Sequence, residues 1–147
     1  MSEYLDTSVI VKWFRREEEY HKESLRILDR VTNFDTRFIM SRYGLLELIR
    51  ALVKNGFPEK EILEAFQVVK GLYNTGALED VELENILEYA RDIEVKLGLY
   101  ASDSLHLATA LYCRCNTIWS MDKHFFKTET RNYLKRYGIQ VKHLSEI

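Results

Sequence analysis

Apolar positions recur along this chain at two spacings, and the alternation between the two predicts an α/β fold. EYLDT, residues 3–7, reads as a short buried strand; in SVIVKWFRRE after it, Val9, Ile10, Trp13 and Phe14 stand at the intervals of an amphipathic helix. A second helix is predicted from about Tyr20 to Val31, then a strand in RFIMS and a helix through GLLELIRALVKN that stops near Gly56. Ile62, Phe66 and Val69 mark one further helix, and Leu83, Ile86, Leu87, Ala90, Ile93 and Leu97 another, with a weak strand near GALEDVEL between them. The last third predicts a helix that Asp103 opens, a strand in NTIWSM, a helix through HFFKTETRNYLKRYG and a final strand in IQVKHL. Strands that alternate with helices predict three layers, α/β/α, around a mostly parallel twisted sheet of four to five strands. No repeat, low-complexity tract or Pro/Gly-rich linker breaks this order, so residues 1–147 read as a single domain.

Composition narrows the class. With 147 residues, 46% of them hydrophobic, the chain can bury a core of its own. No apolar run reaches the ~18 residues of a membrane span, and YLDTSVIVKWF is broken by Asp6 and Lys12. A soluble, cytoplasmic protein is therefore expected. Cys113 and Cys115 are too close together for an ordinary disulfide framework, and His21, His106, His124 and His143 are scattered without zinc-ligand spacing. The net charge of −2 argues against a generally basic nucleic-acid-coating protein, but it conceals an acidic run from Glu79 to Glu94 and a basic run from Lys123 to Lys142. Either run can be a solvated face; the basic one can also be a phosphate-guiding surface.

The topology gives four acids a common address. In a parallel α/β sheet, strand C-termini and helix N-termini share one edge, and ligands bind there. Asp6 ends the first strand, Asp122 follows the fourth, and Asp103 opens the helix that leads into the fourth. Glu47 sits about one turn, roughly 6 Å, into the helix after the second strand. Each has an ordinary alternative: Asp6 and Asp122 as helix caps or turn residues, Asp103 as a helix-start acid, Glu47 as a partner of Arg50 at i, i+3. As a group they are harder to explain, since two like charges about 4 Å apart repel by roughly 4 kcal/mol at an effective dielectric of about 20. Such a cluster needs raised pKa values or bound cations, and all-oxygen donors without Cys or His favour Mg²⁺ or Mn²⁺. Two divalent ions among four carboxylates is an arrangement suited to phosphoryl transfer.

YLDTSVIVKWF, LLELIRAL, ASDSLHLATAL and SMDKHF, in that order and followed by a C-terminal strand, resemble the PIN-domain ribonucleases, especially the VapC-like toxins of bacteria and archaea. The resemblance spans nearly the whole chain. It implies Asp6, Glu47, Asp103 and Asp122 as catalytic metal-site acids, with Ser8 and Ser120 as supporting hydroxyls; Ser120 stands where Thr is common. It further implies a Mg²⁺- or Mn²⁺-dependent endoribonuclease that leaves 3′-hydroxyl and 5′-phosphate ends, a small antitoxin partner and a homodimer. Lys12, Arg15, Arg50, Lys123 and Lys127 are candidate contacts to substrate phosphates. For His106 a buried hydrogen-bonded role is expected ahead of a catalytic base. The alternatives are a catalytically quiet PIN-like module that binds RNA or protein, and an RNA-processing nuclease without an antitoxin. An aspartate-nucleophile phosphatase is disfavoured, because Ser8 stands where those enzymes place a second Asp.

Overall fold

The computed structural model describes residues 1–147. Five short strands pair in parallel throughout: β1 (Ser2–Leu5), β2 (Arg37–Ile39), β3 (Leu78–Glu79), β4 (Thr117–Trp119) and β5 (Gln140–Lys142), in the spatial order β3-β2-β1-β4-β5. Tyr4 stands opposite Ile39 on one side and Ile118 on the other, so β1 is the middle strand.

Side-chain alternation along the strands builds two cores, because successive residues of a strand face opposite sides of the sheet. Leu5, Phe38, Met40 and Trp119 face one way, onto α1 (Thr7–Phe14), α2 (His21–Thr32), α3 (Tyr43–Lys54) and α4 (Glu59–Asn74). Tyr4, Ile39, Ile118 and Val141 face the other, onto α5 (Leu83–Leu97), α6 (Ala101–Tyr112) and α7 (Thr128–Lys135). The predicted apolar stripes supply the contact faces, with Val9, Ile10 and Trp13 of α1 and Ile86 and Ile93 of α5 at most 5% exposed, but Leu83 and Leu87, predicted on the α5 stripe, stay at the surface. Burying each such side chain contributes about 1.5–3 kcal/mol.

Each predicted strand is present, including the weak one, and the sheet is wholly parallel. The predicted helix through HFFKTETRNYLKRYG is divided. Asp122 caps a 3-10 turn over Lys123–Phe126, Lys127 is extended, and α7 begins afresh at Thr128. The division lets Phe125 enter the core at 0% exposure.

Chain order sets where the site forms. After β1 the chain runs outward on one side through β2 and β3, then returns through α5 and α6 to lay β4 on the other side of β1. The C-terminal ends of β1 and β4 therefore flank the point where strand order reverses, the usual crevice for ligands in such sheets.

Candidate active site

Asp6 follows β1 directly, and its backbone N–H still donates to Trp119 O of β4 at 3.0 Å. Its side chain is almost wholly buried. Oδ2 accepts from Ser8 Oγ at 2.5 Å, from Ser120 Oγ at 3.0 Å and, as the cap of α1, from Ser8 N–H at 3.4 Å. Ser8 Oγ also accepts from Met121 N–H at 2.8 Å, and Ser120 Oγ from Asp122 N–H at 3.0 Å. The two hydroxyls thus tie the ends of β1 and β4 together around one oxygen of Asp6. Its other oxygen, Oδ1, lies 3.9 Å from His106 Nε2.

Asp122 uses Oδ1 to accept from His124 N–H at 2.9 Å, so its capping role is real and leaves the second oxygen free. Asp103 behaves differently. It sits in the first turn of α6, whose N-cap is Tyr100, caps nothing and has no hydrogen-bond partner. Burial raises its pKa, and the negative charges of Asp122 and then Asp6 raise it further. Burial likewise raises Asp6, against the pull of His106 and the two serine hydrogen bonds, and the charge of Glu47 adds to the rise. Asp6, Asp103 and Asp122 are therefore close enough to feel one another, at the sheet edge where the strand order placed them.

Glu47 does not pair with Arg50. Its Oε1 accepts from Thr7 Oγ1 at 2.9 Å and lies 2.5 Å from His106 Nε2. Burial works to raise its pKa, but the His106 hydrogen bond and charge, with the Thr7 bond, hold it below the ordinary value. His106 is 1% exposed, and its Nδ1 lies 2.5 Å from the hydroxyl of Tyr4, which is 0% exposed. That hydroxyl already accepts from Ser41 N–H at 3.1 Å. Nε2 donates to the Glu47 carboxylate, so in the neutral imidazole Nδ1 is the acceptor and the Tyr4 hydroxyl donates to it. Burial lowers the pKa of His106, but the bond to Glu47 and the charge of Asp6 outweigh it, and the net shift is upward. The expected buried, hydrogen-bonded histidine is thus half of a relay from the backbone just after β2 to a carboxylate.

Two residues of this arrangement give no signal of their own in the sequence. Thr7 stands there only as part of LDTS. Gly44, one turn before Glu47 on α3, lets that helix approach α1 so closely that a Cβ there would stand 2.8 Å from Thr7 Oγ1. The absence of that carbon allows Thr7 to reach Glu47. Tyr4 has the spacing of a core aromatic, which its ring is, but its hydroxyl serves His106.

The basic candidates spread out. Lys12 and Arg15 both pair with Glu18 beside α1. Arg50 is exposed on α3, and Lys123 and Lys127 are exposed around the 3-10 turn after Asp122. As the side chains stand, no three His, Cys, Asp or Glu residues gather around one point closely enough to enclose an ion. The donor chemistry still fits a hard divalent cation: only oxygens are offered, the Asp103 carboxylate has no partner, and its acidic neighbours repel it. No helix is long and apolar enough to cross a membrane.

The family model described as PIN domain matches residues 4–130. Among solved structures, the chain is similar to one in the crystal structure of VapBC2 from Rickettsia felis bound to a DNA fragment from their promoter. The TM-score is 0.60 at 16% identity, covering 97% of this chain and 98% of that one, a likeness of fold. No curated protein matches the sequence.

Proposed function

The chain belongs to the PIN domain family, whose members are generally nucleases, and from that premise we propose that it is a Mg²⁺- or Mn²⁺-dependent endoribonuclease, the toxin of a toxin–antitoxin pair. The observation that carries the proposal is Asp103: a half-buried carboxylate without a hydrogen-bond partner, in the field of Asp6 and Asp122, at the reversal point of a parallel sheet. A group so placed destabilises the protein unless something positive sits before it.

Asp6, Asp103, Asp122 and Glu47 are the residues that would hold the metal. What divalent ions supply when bound is activation of water and stabilisation of charge on phosphoryl oxygens. The chain's own residues prepare for this in distinct ways. Ser8 and Ser120 fix one oxygen of Asp6 and so orient the other. Tyr4 fixes the tautomer of His106, and His106 with Thr7 fixes one oxygen of Glu47, leaving Oε2 outside these bonds. His106 is in this reading a positioning residue. Lys12, Arg15, Arg50, Lys123 and Lys127 would contact phosphates along the strand. The VapC-like resemblance and the VapBC2 neighbour support a small antitoxin partner, and the same resemblance supports a homodimer.

The test is cleavage of single-stranded RNA by purified protein, with and without divalent ion. Metal-dependent cutting is expected in the wild type, with losses of at least a hundredfold in Asp6→Asn and Asp103→Asn, on the order of other electrostatic catalytic groups. Magnesium should raise the melting temperature of the wild type and not of Asp103→Asn. Full cutting by either variant would refute the assignment.

A further inference from the structure

One helical turn from the acids the surface opens again. Lys12 follows Ser8 by four residues on α1, so the two share a face, about 6 Å apart along the axis. Ser8 holds Asp6 at the upper end. Between them lies a recess of about 470 Å³ bordered by Ser8, Val11, Lys12, Glu18, Glu19, Tyr20 and Met121. Tyr20 has φ 66°, a left-handed conformation unusual for an aromatic residue, and its ring meets His143 edge-on at 4.9 Å. Backbone strain of this kind collects where a ligand site needs a wall in a fixed place.

The recess holds a bound carboxylate of its own. Glu18 Oε1 lies 2.9 Å from Lys12 Nζ, and the other oxygen of the same group pairs with Arg15. The Lys12 side chain is only 11% exposed. Lys12, largely withdrawn from water, thus holds one oxygen of this anion inside a pocket that borders the acidic site, while Arg15, outside the pocket, holds the other. A phosphodiester presents the same charge and the same pair of oxygens. Successive phosphates of one strand advance about 3.4 Å along a helical axis and further in an extended strand, so the span from Ser8 to Lys12 is on the scale of one or two nucleotide steps.

We propose that this recess is the subsite for the nucleotide adjoining the scissile phosphodiester, that Lys12 takes its phosphate, and that Glu18 holds that phosphate's place in the free protein. The inference rests on the reading of the acidic cluster as a nuclease centre. A phosphate takes over the negative charge that Glu18 presents to the largely buried Lys12, so the exchange leaves no buried cation unpaired. The arrangement also accounts for how a chain of net charge −2 keeps cations for RNA: they are present and occupied by a displaceable internal anion.

The experiment measures binding of a fluorescein-labelled single-stranded RNA by anisotropy, over a range of salt, in full-length protein carrying Asp103→Asn to keep the RNA intact. Adding Glu18→Gln should tighten binding several-fold and steepen the salt slope by about 0.7 for each further phosphate that the protein neutralises. Glu17→Gln removes the same charge one residue away, at an exposed side chain outside any ion pair, and should give a clearly smaller change. Lys12→Met added to Glu18→Gln should cancel the tightening, and Glu18→Ala serves as an independent removal of the carboxylate. Unchanged binding, equal tightening by Glu17→Gln and Glu18→Gln, or tightening that survives Lys12→Met would each overturn the proposal. Failure of the nuclease reading shows separately, as RNA cleavage persisting in Asp103→Asn alone.

Discussion

Tyr4→Phe removes one oxygen atom from the middle strand and tests the relay that holds Glu47. The ring is wholly buried, and Phe fills the same space, so no cavity results. What is lost is a hydroxyl that accepts from Ser41 N–H at 3.1 Å and donates to His106 Nδ1 at 2.5 Å. Each partner stranded in the interior costs about 1–3 kcal/mol. The imidazole can recover part of its share by changing tautomer, at the expense of the proton it gives Glu47, so the expected net loss is about 2–3 kcal/mol. For a chain of this size that lowers the melting temperature by about 4–12 °C. Urea unfolding followed by the fluorescence of Trp13 and Trp119 measures it directly, with the m-value expected to stay constant because the exposed surface does not change. A loss below about 0.5 kcal/mol would refute the reasoning, since it would mean that neither Ser41 N–H nor His106 depends on the hydroxyl.

Two further outcomes follow from the same packing. Asp103→Asn should stabilise the metal-free protein near neutral pH. The folded state raises the pKa of Asp103, so it binds more protons than the unfolded chain between the unfolded value, about 3.9, and the raised folded value, and stability falls as pH climbs through that window. The substitution removes that fall; urea midpoints measured in EDTA across the acid-to-neutral range should show it, and an unchanged or lower midpoint at neutral pH would contradict it. Gly44→Ala should destabilise by about 1 kcal/mol although Ala is the better helix former, because the new carbon meets Thr7 Oγ1 at 2.8 Å and Met40 Cε at 3.1 Å. A more stable variant in the same unfolding assay would show that α1 and α3 have room to part.

The layered architecture was legible because each buried face repeats its period over several residues: two in the strands, between three and four in helices such as the Leu83–Leu97 run. Asp6, Asp103 and Asp122 were legible as a group because the parallel order sends strand ends and helix starts to one edge. Their individual conditions were not. Asp6 and Asp122 turn out to cap the elements they precede while Asp103 caps nothing, a difference decided by the register at the start of α6. Glu47 looks outward beside Arg50 on helical spacing alone. Its real partners, Thr7 and His106, lie 40 and 59 residues away, and no local pattern encodes contacts of that range. The break at Lys127 escapes the periodic reading for a similar reason: Phe125 is drawn into a core built by other helices, which overrides the local helical pattern.

The placement of β1 between β2 and β4 bears on how the protein comes into being. Two of the four carboxylates lie in the first 47 residues and two in the last 45, and the halves pack on opposite faces of a sheet that β4 and β5 complete. A ribosome that stalls before residue 103 has made Asp6 and Glu47 alone, without the strand that supplies Ser120. If the acids act together as proposed, the site cannot assemble on a growing chain before the segment through Asp122 has emerged.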